Sequence, residues 1–178
     1  MRLSHTLFNC LFFFSCSCFS SEHISVYGGN VNFTGQIINS ACSVRSDSID
    51  QIVELGQART NQFKNVGEWG NKIPFKIVLE NCDISVSSSV GAMFTGSADS
   101  NDPLVFQTSS GPGSVSGIGI GIVDAGGNVV VPNAQPLVYQ PLIDGDNTLY
   151  FSARYRSTRK DVSGGFANSH VWFSLKYP

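Results

Sequence analysis

The last fifteen residues, 164–178, constrain the fold more than any other stretch. From residue 171 onward every second position is apolar, at Val171, Phe173, Leu175 and Tyr177, with Trp172, Ser174 and Lys176 between them. A period of two belongs to a strand with one buried face. The ends of a domain fray unless something ties them down. A strand here is therefore expected deep in a sheet, with partners on both sides.

A second alternating stretch lies near the other end, over residues 27–38. Val31, Phe33 and Ile37 are apolar, Gly35 sits between the last two, and Asn30, Asn32, Thr34 and Gln36 fill the opposite face. The pair Gly28-Gly29 precedes it. This too reads as a strand, carried on a flexible lead.

The first twenty residues read as a secretory signal peptide: Arg2, then an apolar run over residues 7–19, then small residues at Cys18 and Ser20. That run is too short to span a bilayer comfortably. Cleavage after Ser20 removes Cys10, Cys16 and Cys18. Cys42 and Cys82 remain, 40 residues apart. One cysteine pair in an exported chain reads as a disulfide, and two thiols cannot build a structural zinc site without two more ligands. The exported part keeps 13 acids and 10 bases, a net charge of −3, which gives no electrostatic case for a nucleic-acid partner. Low charge content and 18 glycines suit a β-rich chain better than a helical one.

Read in order, the chain yields short strands punctuated by turns. Residues 36–44 continue as a strand through Cys42, residues 46–51 make a turn, and residues 52–55 form a short strand ending at Gly56. Residues 59–70 hold at most one helical turn, because Gly67 and Gly70 oppose a longer helix; Trp69 there reads as a loop aromatic closing one end of the core. Strands follow at 73–79, 90–95, 104–107 and 117–123. In the last of these Gly117, Gly119 and Gly121 alternate with Ile118, Ile120 and Ile122. A phosphate-cradling loop would need a helix straight after the glycines; a turn at Asp124-Ala125-Gly126-Gly127-Asn128 follows instead, and then a strand at 129–131. The glycine face is expected to admit the close approach of another backbone. A long connection over 132–146 leads to a strong strand at 148–156. Arg154, Arg156, Arg159 and Lys160 form the only basic cluster and read as a solvated hairpin face. Strands at such intervals, with little helix, predict an all-β sandwich of immunoglobulin-like type with Greek-key connections.

No catalytic constellation assembles. The exported part has no free cysteine, and its histidines, His23 and His170, lie at opposite ends. The carboxylates sit at turns, which favour Asp for backbone reasons alone. The chain reads as a non-enzyme without cofactor, metal or small-molecule substrate.

Four features, taken in order, resemble the pilin subunits of the chaperone–usher class, in the type 1 fimbrial group. They are the alternating N-terminal extension with its mid-strand Gly35; Asn39-Ser40-Ala41-Cys42 answered by Glu80-Asn81-Cys82; residues 164–168, Gly-Gly-Phe-Ala-Asn, before the final strand; and Tyr177 as the penultimate residue, with Gly165 fourteenth from the end. The resemblance implies an incomplete immunoglobulin-like sandwich that lacks its last strand. A donor strand fills the gap, lent first by a periplasmic pilus chaperone and then by the N-terminal extension of the next subunit. It implies residues 1–20 as signal, 21–38 as donor-strand extension and 39–178 as pilin domain. Val31, Phe33, Gly35 and Ile37 would be the donor residues. Gly165, Val171, Phe173, Leu175 and Tyr177 would form the acceptor groove and chaperone-binding strand. Partners would be the chaperone, an outer-membrane usher and other pilin subunits, with export through the periplasm to a surface fimbrium that serves cell adhesion indirectly.

A tip adhesin needs a second, sugar-binding domain, for which the exported length leaves no room. Val171-Trp172-Phe173, the basic run and the stretch from Phe63 to Gly67-Glu68 look most similar to the minor, FimI-type subunit. That resemblance implies a low-copy role near the fibre base, or one that ends assembly. A major rod pilin is the alternative. From a different class, a free-standing periplasmic or surface carbohydrate-binding module would fit a β sandwich, but it has no use for a detachable alternating extension.

Overall fold

The computed structural model describes residues 25–35, 37 and 40–178; residues 1–24, which include the stretch expected as a signal peptide, and Gln36, Ile38 and Asn39 lie outside them. The chain divides at Ile37 into two units. In the first, residues 25–35 and 37 form no strand. The strand expected over 27–38 is therefore not seen in its described part, whose apolar side chains are exposed: 77 % for Val31, 92 % for Phe33 and 102 % for Ile37. Alternation prepares a segment to lie on a sheet, but a strand exists only where its main chain finds a ladder partner.

In the second unit the described residues form nine strands and two 310 turns, at Ser46–Ser48 and Thr60–Gln62. The strands are β1 (Ser43–Val44), β2 (Ile73–Cys82), β3 (Ser89–Thr95), β4 (Phe106–Gln107), β5 (Ile118–Asp124), β6 (Val129–Val130), β7 (Gln140–Pro141), β8 (Gly145–Ser157) and β9 (Trp172–Lys176). One sheet runs β1-β2-β8-β5-β4, with β6 also on β5; the other runs β7-β3-β9; all pairings are antiparallel. The chain changes sheet between β2 and β3, returns for β4 to β6, crosses to β7, returns for β8 and crosses again to β9. This is the Greek-key weave of an immunoglobulin-like sandwich.

The core lies between the sheets. Ile77, Leu79 and Leu149 from the first meet Val90, Ala92 and Phe94 from the second. Phe94 packs edge-on against Phe75 and Phe151, at centroid distances of 6.2 and 5.1 Å. In β2 the odd positions point inward, yet Cys82 is buried as well. The register slips between Leu79 and Cys82, and Asn81 adopts φ 54°, a left-handed conformation that Asn tolerates better than most residues. This irregularity flips the parity and turns Cys82 inward to its disulfide with Cys42.

Three expectations need correction. Residues 52–55 are not a strand: the Gln51 side-chain amide donates to the carbonyls of Ser48 and Lys76, which holds the segment beside β2 without a ladder. Residues 36–44 yield a strand only at Ser43–Val44 among the described positions. The connection over 132–146 contains β7 and the start of β8.

The basic cluster and the glycine face share one explanation. Trp69 from the 59–70 loop lies over the outside of the larger sheet, where a Cβ on Gly121 would strike its ring. Arg154 and Arg156 stack on the same ring, with guanidinium carbons 5.2 and 4.5 Å from its centroid. Arg154 also donates to the Gly70 carbonyl, and Arg156 pairs with Asp102 at 2.7 Å. Buried Ser157 receives the Glu68 amide proton and donates to the Asn65 carbonyl. Two of the four basic residues thus strap a loop onto the sheet and are half-buried rather than solvated. The glycine face admits side chains, Trp69 at Gly121 and Val105 at Gly119, and at Gly117 it admits another stretch of backbone as expected, the Asp161 carbonyl lying 2.8 Å from where a Cβ would stand.

Candidate functional site: the open edge of the sandwich

The final strand is placed by its alternation and by a close approach just before it. Gly165 lies against the backbone of Ser114 and Val115, where a Cβ would sit 2.5 Å from the Val115 nitrogen. Phe166 donates to the Gly113 carbonyl and accepts from the Val115 amide. These contacts fix where the chain turns into β9. Replacing Gly165 by Ala should therefore force the two backbones apart and destabilise by about 1–3 kcal/mol, the usual cost of overpacking. Urea unfolding of the oxidised chain measures this, and a midpoint equal to that of the parent would refute it.

β9 pairs with β3 over Gly91–Lys176 to Thr95–Trp172. Among the described residues its other edge has no partner, and β1, at the edge of the opposite sheet, pairs with β2 alone. The expectation that the final strand has neighbours on both sides is thus corrected: it is an edge strand. Its inward residues tell the same story. Val171, Phe173, Leu175 and Tyr177 all pack on the core cluster, and Phe173 lies 6.3 Å from Phe94. Each is only half-buried. Inward-facing apolar residues of a closed sandwich are fully covered. Here the core is left incompletely covered in a seam along β9.

The seam has defined ends. Beyond β9, the hydroxyls of Ser40 and Tyr177 are 3.3 Å apart. The Cys42–Cys82 bond and the hydrogen bond from the Asp83 amide to the Ala41 carbonyl, 2.8 Å, tie the lead into β1 to the end of β2. The opposite face of β9 presents exposed Trp172, whose ring meets that of His170 edge-on at 4.6 Å.

Chemically this is a sheet edge whose main-chain groups have no ladder partner among the described residues, above apolar side chains at alternate positions. Such an edge recruits another strand. The fimbrial protein family profile matches residues 31–178. The chain belongs to the fimbrial protein family. It is 38% identical over 157 residues to the fimbrial subunit type 1 of Salmonella typhimurium, covering 86% of this chain and 85% of that one. It is 36% identical over 159 residues to a fimbrin-like protein FimI of Salmonella typhi, covering 89% and 90%. Among solved structures, a chaperone–usher pilus studied for rod uncoiling aligns with a TM-score of 0.68 at 25% identity, over 89% of this chain and 100% of that subunit.

This fimbrial protein is therefore a structural subunit of a chaperone–usher pilus, a surface polymer in which pilins join other pilins, and its family is not an enzyme class. The sequence reading missed the strap made by Trp69, Arg154, Arg156 and Asp102. A lone tryptophan in a loop, facing a strand that alternates glycine with isoleucine, was the available signal.

Proposed function

We propose that the open seam beside β9 accepts a donor strand, and that this fimbrial protein enters the fibre by donor-strand exchange. The observation that carries the reading is the half-buried inward row Val171, Phe173, Leu175 and Tyr177 beside an edge with no ladder partner among the described residues. On this reading residues 1–20 are a signal peptide, 21–38 the donor extension and 39–178 the pilin domain. A periplasmic chaperone fills the seam first, an outer-membrane usher receives the complex, and the extension of the next subunit replaces the chaperone strand.

The extension supports its own half of the exchange. Val31, Phe33 and Ile37 are exposed. Nothing lies within 4 Å of a Cβ built on Gly35, and its φ is not positive. Neither crowding nor backbone conformation within the described chain calls for glycine there. A shallow place in a partner's groove does.

Large residues in the final strand favour a minor subunit, near the fibre base or ending assembly. The 38% identity to a type 1 fimbrial subunit, set beside 36% to FimI, keeps a rod role as the second reading.

The test is completion in trans. Residues 39–178, oxidised, are unfolded in guanidinium with and without a peptide of residues 25–38. A large rise in midpoint with peptide is expected. A domain equally stable without it, and unchanged by it, would sink strand exchange through this seam.

A further inference from the structure

The structure points to a latch, and we propose that the hydrogen bond between Ser40 and Tyr177 holds the seam shut at one end until a strand displaces it. This rests on the reading that the seam accepts a strand, and it concerns how that site is gated.

Ser40 is the donor of the bond. Its hydroxyl has one proton, which faces two acceptors, the Cys42 carbonyl at 2.8 Å and the Tyr177 hydroxyl oxygen at 3.3 Å. Ser40 belongs to a segment fixed on both counts already described, by the disulfide at Cys42 and by the Ala41 carbonyl on the Asp83 amide. Tyr177 follows the last ladder residue of β9, Lys176, and is held by no sheet pairing of its own. The bond therefore joins a partner held by covalent and main-chain bonds to one held by side-chain packing alone.

Its position gives it a consequence. Ser40 leads into β1 at the edge of one sheet, and Tyr177 leaves β9 at the edge of the other. A strand lying along the whole of β9 must occupy the space between those two edges. It cannot complete its pairing past Leu175 while the two hydroxyls remain joined across that space. The phenol ring is not the obstacle, since it packs on the core cluster with Val171, Phe173 and Leu175. The obstacle is the single polar contact at its tip.

Tyr177→Phe keeps the ring and removes the acceptor; Ser40→Ala removes the donor. The exported full chain, oxidised, is mixed with a fluorophore-labelled peptide of residues 25–38, and uptake is followed in time. Each variant should take up peptide about two- to tenfold faster than the parent, the range set by one hydrogen bond. The double variant should be no faster than either single one, because both remove the same bond. Variants at the parental rate or slower, or effects that multiply in the double variant, overturn the latch. If the parent takes up no peptide at all, strand acceptance itself fails and the latch with it; a parent that takes up peptide at the variants' rate removes the latch alone.

Discussion

Replacing Cys42 and Cys82 together by serine should lower the unfolding free energy of the fimbrial subunit by about 4 kcal/mol. The bond closes a loop of 40 residues, and a cross-link of that span removes conformational entropy from the unfolded chain on this scale. Its place in the fold adds to the effect. β1 is two residues long, too short to hold itself on the sheet, and it lies at the edge of that sheet. The disulfide and the Asp83–Ala41 hydrogen bond are what anchor the approach to it. Both cysteines are buried in the core cluster, so two serine hydroxyls there would also need new partners. Small domains have total stabilities of 5–15 kcal/mol, and a sandwich missing one strand begins with less buried apolar surface than a closed one. Loss of the bond should therefore take most of the margin. Guanidinium unfolding of the double variant against the oxidised parent measures it, and midpoints that coincide would overturn the expectation. Replacing both residues, rather than one, avoids leaving a free thiol that pairs between molecules.

Periodicity carried the inner faces of the strands but not their neighbours. Val171, Phe173, Leu175 and Tyr177 alternate, and all four pack inward as alternation requires. That β9 is an edge strand could not be read from them, because alternation reports which face is buried and nothing about which edge is paired. The same limit explains residues 52–55, whose apolar content suggested a strand while the Gln51 side chain, not a ladder, holds the segment. Cys82 shows a further limit. Its even position contradicts the odd inward face of β2, and only the irregularity at Asn81 reconciles the two. A single left-handed residue inside a strand leaves little trace in a hydrophobic pattern. The arginines failed for another reason. Arg154 and Arg156 occupy outward positions, which usually means solvent, but Trp69 comes from a loop some eighty-five residues earlier to cover them. Contacts of that range are fixed by topology.

Substituting Phe33 by Ala in the peptide of residues 25–38 should weaken its capture by the seam about tenfold to a hundredfold. Phe33 is 92 % exposed in the isolated chain, so nothing within the subunit depends on it and the whole effect should appear in strand addition. Fully burying a side chain of this kind contributes about 1.5–3 kcal/mol, and each 1.4 kcal/mol is a factor of ten in affinity. The seam that receives it is lined by Phe173 and Leu175 at alternate positions, with Phe94 behind Phe173. An incoming strand presents only every second residue to that row. Ala at Val31 or Ile37 should accordingly cost affinity in the same sense, while Ala at Asn32 or Thr34, which face away, should change it by less than about twofold, since the main-chain bonds they supply survive the substitution. Isothermal titration of the peptide series onto the oxidised 39–178 domain separates the two outcomes. A period-two pattern of losses means that side chains are read by pockets along β9. Losses spread evenly over odd and even positions would mean that the peptide adheres to exposed core without entering the sheet, and the donor-strand assignment of Val31, Phe33 and Ile37 would fall.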